Sequence, residues 1–170
     1  VGQCYGYGSK GGRLFVLGNA AGRPMINAVG SPKVVINGTA LDYLAESFMA
    51  GDPLEGGGFV IINGMKFDQR GEMLALETPY PGGNLFSLAS GGAIYVRDPH
   101  KRLSDSQLNG GAFTEMSDED WAVVEPMLQQ NEEHFDIPMQ RLLTVEGELA
   151  SPAEVYRKII PVKSKTLHAE

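Results

Sequence analysis

Four short apolar runs mark the first two thirds of the chain, each closed by a turn: Arg13-Leu14-Phe15-Val16-Leu17-Gly18, Lys33-Val34-Val35-Ile36-Asn37-Gly38, Phe59-Val60-Ile61-Ile62-Asn63-Gly64 and Ala93-Ile94-Tyr95-Val96-Arg97-Asp98. They are too short for helices and rich in β-branched and aromatic residues, which predicts strands. The apolar positions run on instead of alternating with polar ones, as they do in a sheet covered on both faces. Val34, Val35, Ile36, Val60, Ile61, Ile62, Ile94 and Val96 are the expected core. Between Met65 and Ser90 the segment Glu72-Met73-Leu74-Ala75-Leu76-Glu77 predicts a further short strand.

Glycine doublets precede three of the runs: Gly11-Gly12, Gly57-Gly58 and Gly91-Gly92. Irregular repeats of a short strand and a glycine turn suggest a chain that stacks each strand on its equivalent one turn away. The expectation is an all-β fold, a right-handed single-stranded parallel β-helix (solenoid) over residues 1–115, with a short helical extension over 116–170. Gly6, Gly8, Gly11, Gly12, Gly18, Gly38, Gly51, Gly57, Gly58, Gly64, Gly91 and Gly92 are assigned to its corners. There the backbone turns sharply or a neighbouring turn presses close, and a side chain would interfere. Gly6-x-Gly8-x-x-Gly11 also has the spacing of a dinucleotide-binding loop, but its context excludes that reading. Only Val1–Tyr5 precede it, and a strand rather than a helix follows.

The last third changes character. Ser117 followed by Asp118-Glu119-Asp120 is a helix start, with a capping hydroxyl and acids against the helix dipole. Trp121, Val124, Met127 and Leu128 follow at helical spacing, and Pro126 predicts a kink or break. Ser151-Pro152-Ala153-Glu154 is a second start, predicting a short amphipathic helix through Ile160 before Pro161. This tail is read as a cap over an open strand edge or as a docking arm for another subunit. Residues 163–170 read as a frayed end.

Composition narrows the partners. A net charge of -7 argues against nucleic acid and anionic membranes, which need a dense positive field. No apolar run reaches the ~20 residues of a membrane span, and one cysteine, Cys4, excludes an internal disulfide and fits a reducing cytoplasm. The chain begins at Val1 rather than Met, so a missing leader carries little weight.

Candidate chemistry is sparse. Cys4 lacks the companions that a cluster ligand needs and reads as an inert or packed thiol. His100, His134 and His168 are scattered and read as surface or packing residues. Asp98 to His100 reads as a solvated turn, and the acidic stretches after Ser117 as the wet face of a helix. Asp42 and Glu46 would serve as an acid/base pair only at a suitable separation. Lys10 beside Gly8 and Gly11 could touch a phosphate, but corner glycines explain the same residues more simply. No catalytic residue, cofactor-binding residue or metal ligand is assigned.

The stretches YGYGSKGGRLFVLGNAAGR, VVINGTALDYLAESFMAG and LASGGAIYVRD resemble the glycine-x-glycine domain at the C-terminal end of the glutamate synthase large subunit, over roughly residues 1 to 115. SPAEVYRKI is similar to the ending of those subunits. Two departures stand out: Arg97-Asp98-Pro99 where some members carry glycine, and the insertion at 52–55. The resemblance implies a non-catalytic structural subunit that holds glutamine amidotransferase-like and FMN-binding synthase partners in register for ammonia transfer. FMN and an iron–sulfur cluster would reside in those partners. Ser9 to Arg13 and the C-terminal helices are the expected contact surfaces, and an isolated chain could self-associate. Two alternatives stay open: a structural component of the kind that formylmethanofuran dehydrogenase contains, and an enzyme acting on acidic polysaccharide.

Overall fold

A computed structural model describes residues 1–162. The strands are β1 (Arg13–Val16), β2 (Lys33–Ile36), β3 (Phe59–Ile62), β4 (Met65–Phe67), β5 (Met73–Ala75), β6 (Ala93–Arg97), β7 (Gly111–Thr114), β8 (Thr144–Val145), β9 (Glu148–Leu149) and β10 (Tyr156–Pro161). Helices are α1 (Asp118–Phe135), α2 (Met139–Leu142) and α3 (Pro152–Val155). Six strands form one sheet in the order β1-β2-β3-β6-β10-β7. The four apolar runs supply its parallel part, in strict register: Val16, Ile36, Ile62 and Val96 stand side by side.

Ahead of each parallel strand lies a loop of unusual backbone. Positive φ recurs at alternate residues: Cys4, Gly6 and Gly8; Arg23, Met25 and Asn27; Tyr43, Ala45 and Ser47; Asn84, Phe86 and Leu88. Only the first set holds glycines; the others hold side chains in a region that costs roughly 1–2 kcal/mol per residue. Stacking satisfies these backbones. Cys4 N–H donates to Gly22 O, Arg23 N–H to Asp42 O and Tyr43 N–H to Gly83 O, while Met25, Ala45 and Phe86 donate back to Tyr5, Pro24 and Leu44. Each loop thus hydrogen-bonds to the next much as the strands do, without being extended.

The parallel strands bury both faces. Val34, Ile36, Val60, Ile62, Ile94 and Val96 pack toward the loop wall, against Met25, Leu44, Phe48 and Phe86. On the opposite face Val35, Phe59, Ile61 and Tyr95 meet Val124, Met127 and Leu128 of α1. The side chains alternate as strands require, and apolar cover on both sides explains the unbroken apolar runs.

The fold class differs from the all-β parallel β-helix expected from the glycine repeats. The protein is mixed α/β: one six-stranded mixed sheet, two small antiparallel sheets and a long helix packed on the main sheet. Each repeat contributes only one strand to the sheet, because the left-handed alternation takes the place of further extended chain. The sheet then continues through β10, which runs antiparallel to β6, and through β7, which pairs antiparallel with β10 and so runs in the direction of β6.

The tail departs from its reading in two further ways. The helix begun at Ser151 ends at Val155, and Tyr156–Pro161 becomes β10 between β6 and β7. A short amphipathic segment fits either period, and the unpaired N–H and C=O groups of β6 favour the strand. Helix α1 starts at the expected cap, where Ser117 and Asp120 form a reciprocal box, but runs through Pro126 without a break. Met73–Ala75 is the further strand expected, and it pairs with β4.

Candidate functional site

The ends of the parallel strands decide the local chemistry. Register places Asn37, Asn63 and Arg97 one residue after, or at the end of, β2, β3 and β6. Asn37 and Asn131 of α1 exchange amide bonds, with Asn37 Nδ2 to Asn131 Oδ1 and Asn131 Nδ2 to Asn37 Oδ1 both at 2.8 Å. Asn63 Nδ2 donates to Asn37 Oδ1 (2.9 Å), and Tyr156 Oη donates to Asn63 Oδ1 (2.7 Å). All four residues are buried, and their satisfied bonds tie the helix to the sheet in one register.

At the third position Arg97 replaces asparagine and is 7% exposed. Its Nε donates to Leu142 O at 2.7 Å and its Nη2 to Thr144 O at 2.9 Å. Burial lowers its pKa from the usual arginine value, with a smaller opposing influence from Tyr156. Here the chain leaves the parallel stack: Asp98 N–H donates to Val155 O instead of a further rung. The divergence opens a cleft of about 380 Å³ between the β4–β5 hairpin, the segment after β6, and the α2–β9 region. Met65, Met73, Pro79 and Val145 provide apolar wall, and Arg97, Arg102 and Arg141 provide charge.

A second polar cluster lies under the start of α1. Asp120 accepts from Lys158 Nζ (2.6 Å), from Tyr95 Oη (2.6 Å) and from Ser117 N–H and Oγ (3.1 and 2.8 Å). Burial alone would raise the Asp120 pKa, but the bonds from Lys158, Tyr95 and Ser117 outweigh it and hold the carboxyl below its usual value. The Tyr95 hydroxyl is pushed above its usual range by burial first and by Asp120 second. No buried side-chain nitrogen or oxygen among the described residues is left without a partner, so the cluster holds the helix to the sheet.

The twelve corner glycines fall into three groups. Gly6, Gly8, Gly12, Gly51, Gly64 and Gly92 have positive φ. Gly38, Gly57, Gly58 and Gly91 have other φ values but leave no room for a Cβ; at Gly58 one would lie 2.5 Å from Pro32 O. Gly11 and Gly18 have neither constraint.

Other sequence-based readings are redistributed. Cys4 is exposed, not packed. Asp98 is no solvated turn residue: it is buried and accepts from Arg102 N–H, Leu103 N–H and Arg157 Nη1. The acidic helix is not wholly wet, since Asp120 and Asn131 face the sheet. Glu46 is ion-paired with Arg23, whereas Asp42 accepts from Gly83 N–H. Lys10 is exposed, His134 lies against the Phe15 ring, His100 borders the cleft, and His168 lies outside the described residues, as does the reading of 163–170 as frayed. Sequence reasoning missed Arg97 and the asparagine seam. Aligning Ile-Asn-Gly, Ile-Asn-Gly and Val-Arg-Asp at the strand ends would have singled out Asn37, Asn63 and Arg97, though not Asn131 or Tyr156.

Among the described residues no three His, Cys, Asp or Glu gather as a metal site, and no helix is long and apolar enough to cross a membrane. Compared with models of known families, with curated proteins and with solved structures, the chain matches none.

Proposed function

We propose that this chain is a non-catalytic structural subunit of a glutamate-synthase-like complex in the cytoplasm. It holds glutamine amidotransferase-like and FMN-binding synthase partners in register, so that ammonia released in one reaches the other. FMN and the iron–sulfur cluster belong to those partners.

One observation carries the reading. The Gly6-x-Gly8 phrase that prompted the resemblance is the first of four loops with left-handed residues at alternate positions, each preceding a parallel strand. Within this chain the repeat therefore extends beyond glycine content to a recurrent backbone. A stack tied by hydrogen bonds from loop to loop and strand to strand is stiff, and stiffness is what a spacer between two active sites requires. Tyr7, Met49 and Leu88 stand exposed in or beside these loops and offer apolar contact to a partner.

The test is native purification of the tagged chain from its source, with identification of bound proteins and an absorbance spectrum of the eluate. The expected result is an amidotransferase and a synthase co-eluting with flavin absorption. A colourless chain recovered alone at endogenous level would overturn the proposal.

A further inference from the structure

The cleft beside Arg97 has the makings of a binding site that owes nothing to any partner protein. Arg97 is held from one edge: Nε and Nη2 donate to the carbonyls of Leu142 and Thr144. Its Nη1 has no hydrogen-bond partner among the described residues, yet no buried side-chain nitrogen there lacks one. Nη1 therefore keeps some solvent contact, and the residue lines the cleft. A guanidinium fixed on one edge keeps its other edge preorganised for a planar acceptor.

The surroundings reinforce this. Arg102 and Arg141 border the same cleft, and neither is ion-paired with Glu77 or Glu146, the carboxylates at its margin. Asp98, the third acid nearby, is already bound to Arg157 and to two backbone N–H groups. Arg97, Arg102 and Arg141 thus form no ion pair within the described residues and stay available to an added carboxylate, although Glu77 and Glu146 share the cleft. Met65, Met73, Pro79 and Val145 supply an apolar wall, and about 380 Å³ is within the usual size of small-molecule sites.

We propose that this cleft binds a small carboxylate with an apolar body of a few carbons, its carboxylate on the free edge of Arg97 and its carbon chain along Met65 and Met73. Inorganic phosphate shares the recognition chemistry of the head but has nothing to place on the wall, and a neutral alcohol shares only the wall.

Calorimetric titration of the full chain at low ionic strength with hexanoate, hexanol and inorganic phosphate tests this. Saturable hexanoate binding in the low-millimolar range or tighter is expected, about tenfold or more ahead of both other probes. Arg97→Lys keeps a cation but removes the fork, and should weaken hexanoate about tenfold. Should that variant fail to fold, Arg102→Gln alters an exposed group and should weaken hexanoate several-fold with the thermal midpoint unchanged. Absence of saturable binding, equal binding of hexanol, stronger binding of phosphate, or hexanoate affinity indifferent to the arginine substitutions would each overturn the proposal.

Discussion

The pair Asp120–Lys158 allows the docking of α1 onto the sheet to be tested quantitatively. Asp120 is 2% and Lys158 11% exposed in their side chains, and the contact is 2.6 Å. Removing one partner of a buried pair costs about 3–5 kcal/mol, because the other is left uncompensated. The two partners are not equivalent. After Lys158→Met, Asp120 keeps the donors of Tyr95 and Ser117, so the loss should approach that of one charged hydrogen bond, about 1.5–3 kcal/mol. After Asp120→Ala, Lys158 has no other ion-pair partner among the described residues, and the capping box at Ser117 also goes. That variant should lose about 3–5 kcal/mol, a fall in melting temperature on the order of 10 °C for a chain of this size. The double variant should lose less than the sum by at least about 1 kcal/mol. Urea unfolding of all four proteins at pH 7 measures the cycle. The Asp120 pKa is depressed on folding, so its contribution is present above the ordinary carboxylate pKa and lost as pH falls through the lower folded value. The wild-type advantage over Asp120→Ala should hold from pH 7 to about 5 and shrink only below about 4. Additivity within about 0.5 kcal/mol, or an Asp120→Ala cost below that of Lys158→Met, would rule out this account of the docking.

Three further predictions follow from single contacts. Asn131→Ala leaves the buried amide of Asn37 short of a partner and should cost about 1–3 kcal/mol in urea unfolding; no loss would remove the seam as a docking element. Gly58→Val would meet Pro32 O and Ala50 Cβ and should destabilise by about 1–3 kcal/mol, whereas Gly18→Val, in open space without positive φ, should change the thermal midpoint little; equal effects would contradict the grouping of the glycines. Cys4 is exposed, so one equivalent of a thiol reagent should react with the native protein as quickly as with the unfolded one; protection in the native state would contradict its placement.

Much of this was legible in the chain. The four parallel strands, the cap at Ser117 and the core of β2 and β3 announce themselves through local signals: β-branched runs, a hydroxyl followed by acids, and apolar residues on consecutive positions. Local signals also account for the errors. A glycine-rich repeat says that the backbone turns, but not which φ values it uses, and residues such as Met25, Ala45 and Phe86 reach the left-handed region without any compositional sign. Their conformation is held by hydrogen bonds to loops far away in sequence. Tyr156–Pro161 could be helix or strand by its own pattern; the open edge of β6 made it a strand. Asp120 and Asn131 look like surface residues on an acidic helix until α1 lies on the sheet and faces them with Lys158 and Asn37. Which segments become the four parallel strands and where the long helix begins were set along the chain, because those choices rest on neighbouring residues. The mixed sheet, the buried polar seam and the arginine-lined cleft arise only on folding, because each depends on groups brought together across long stretches of chain.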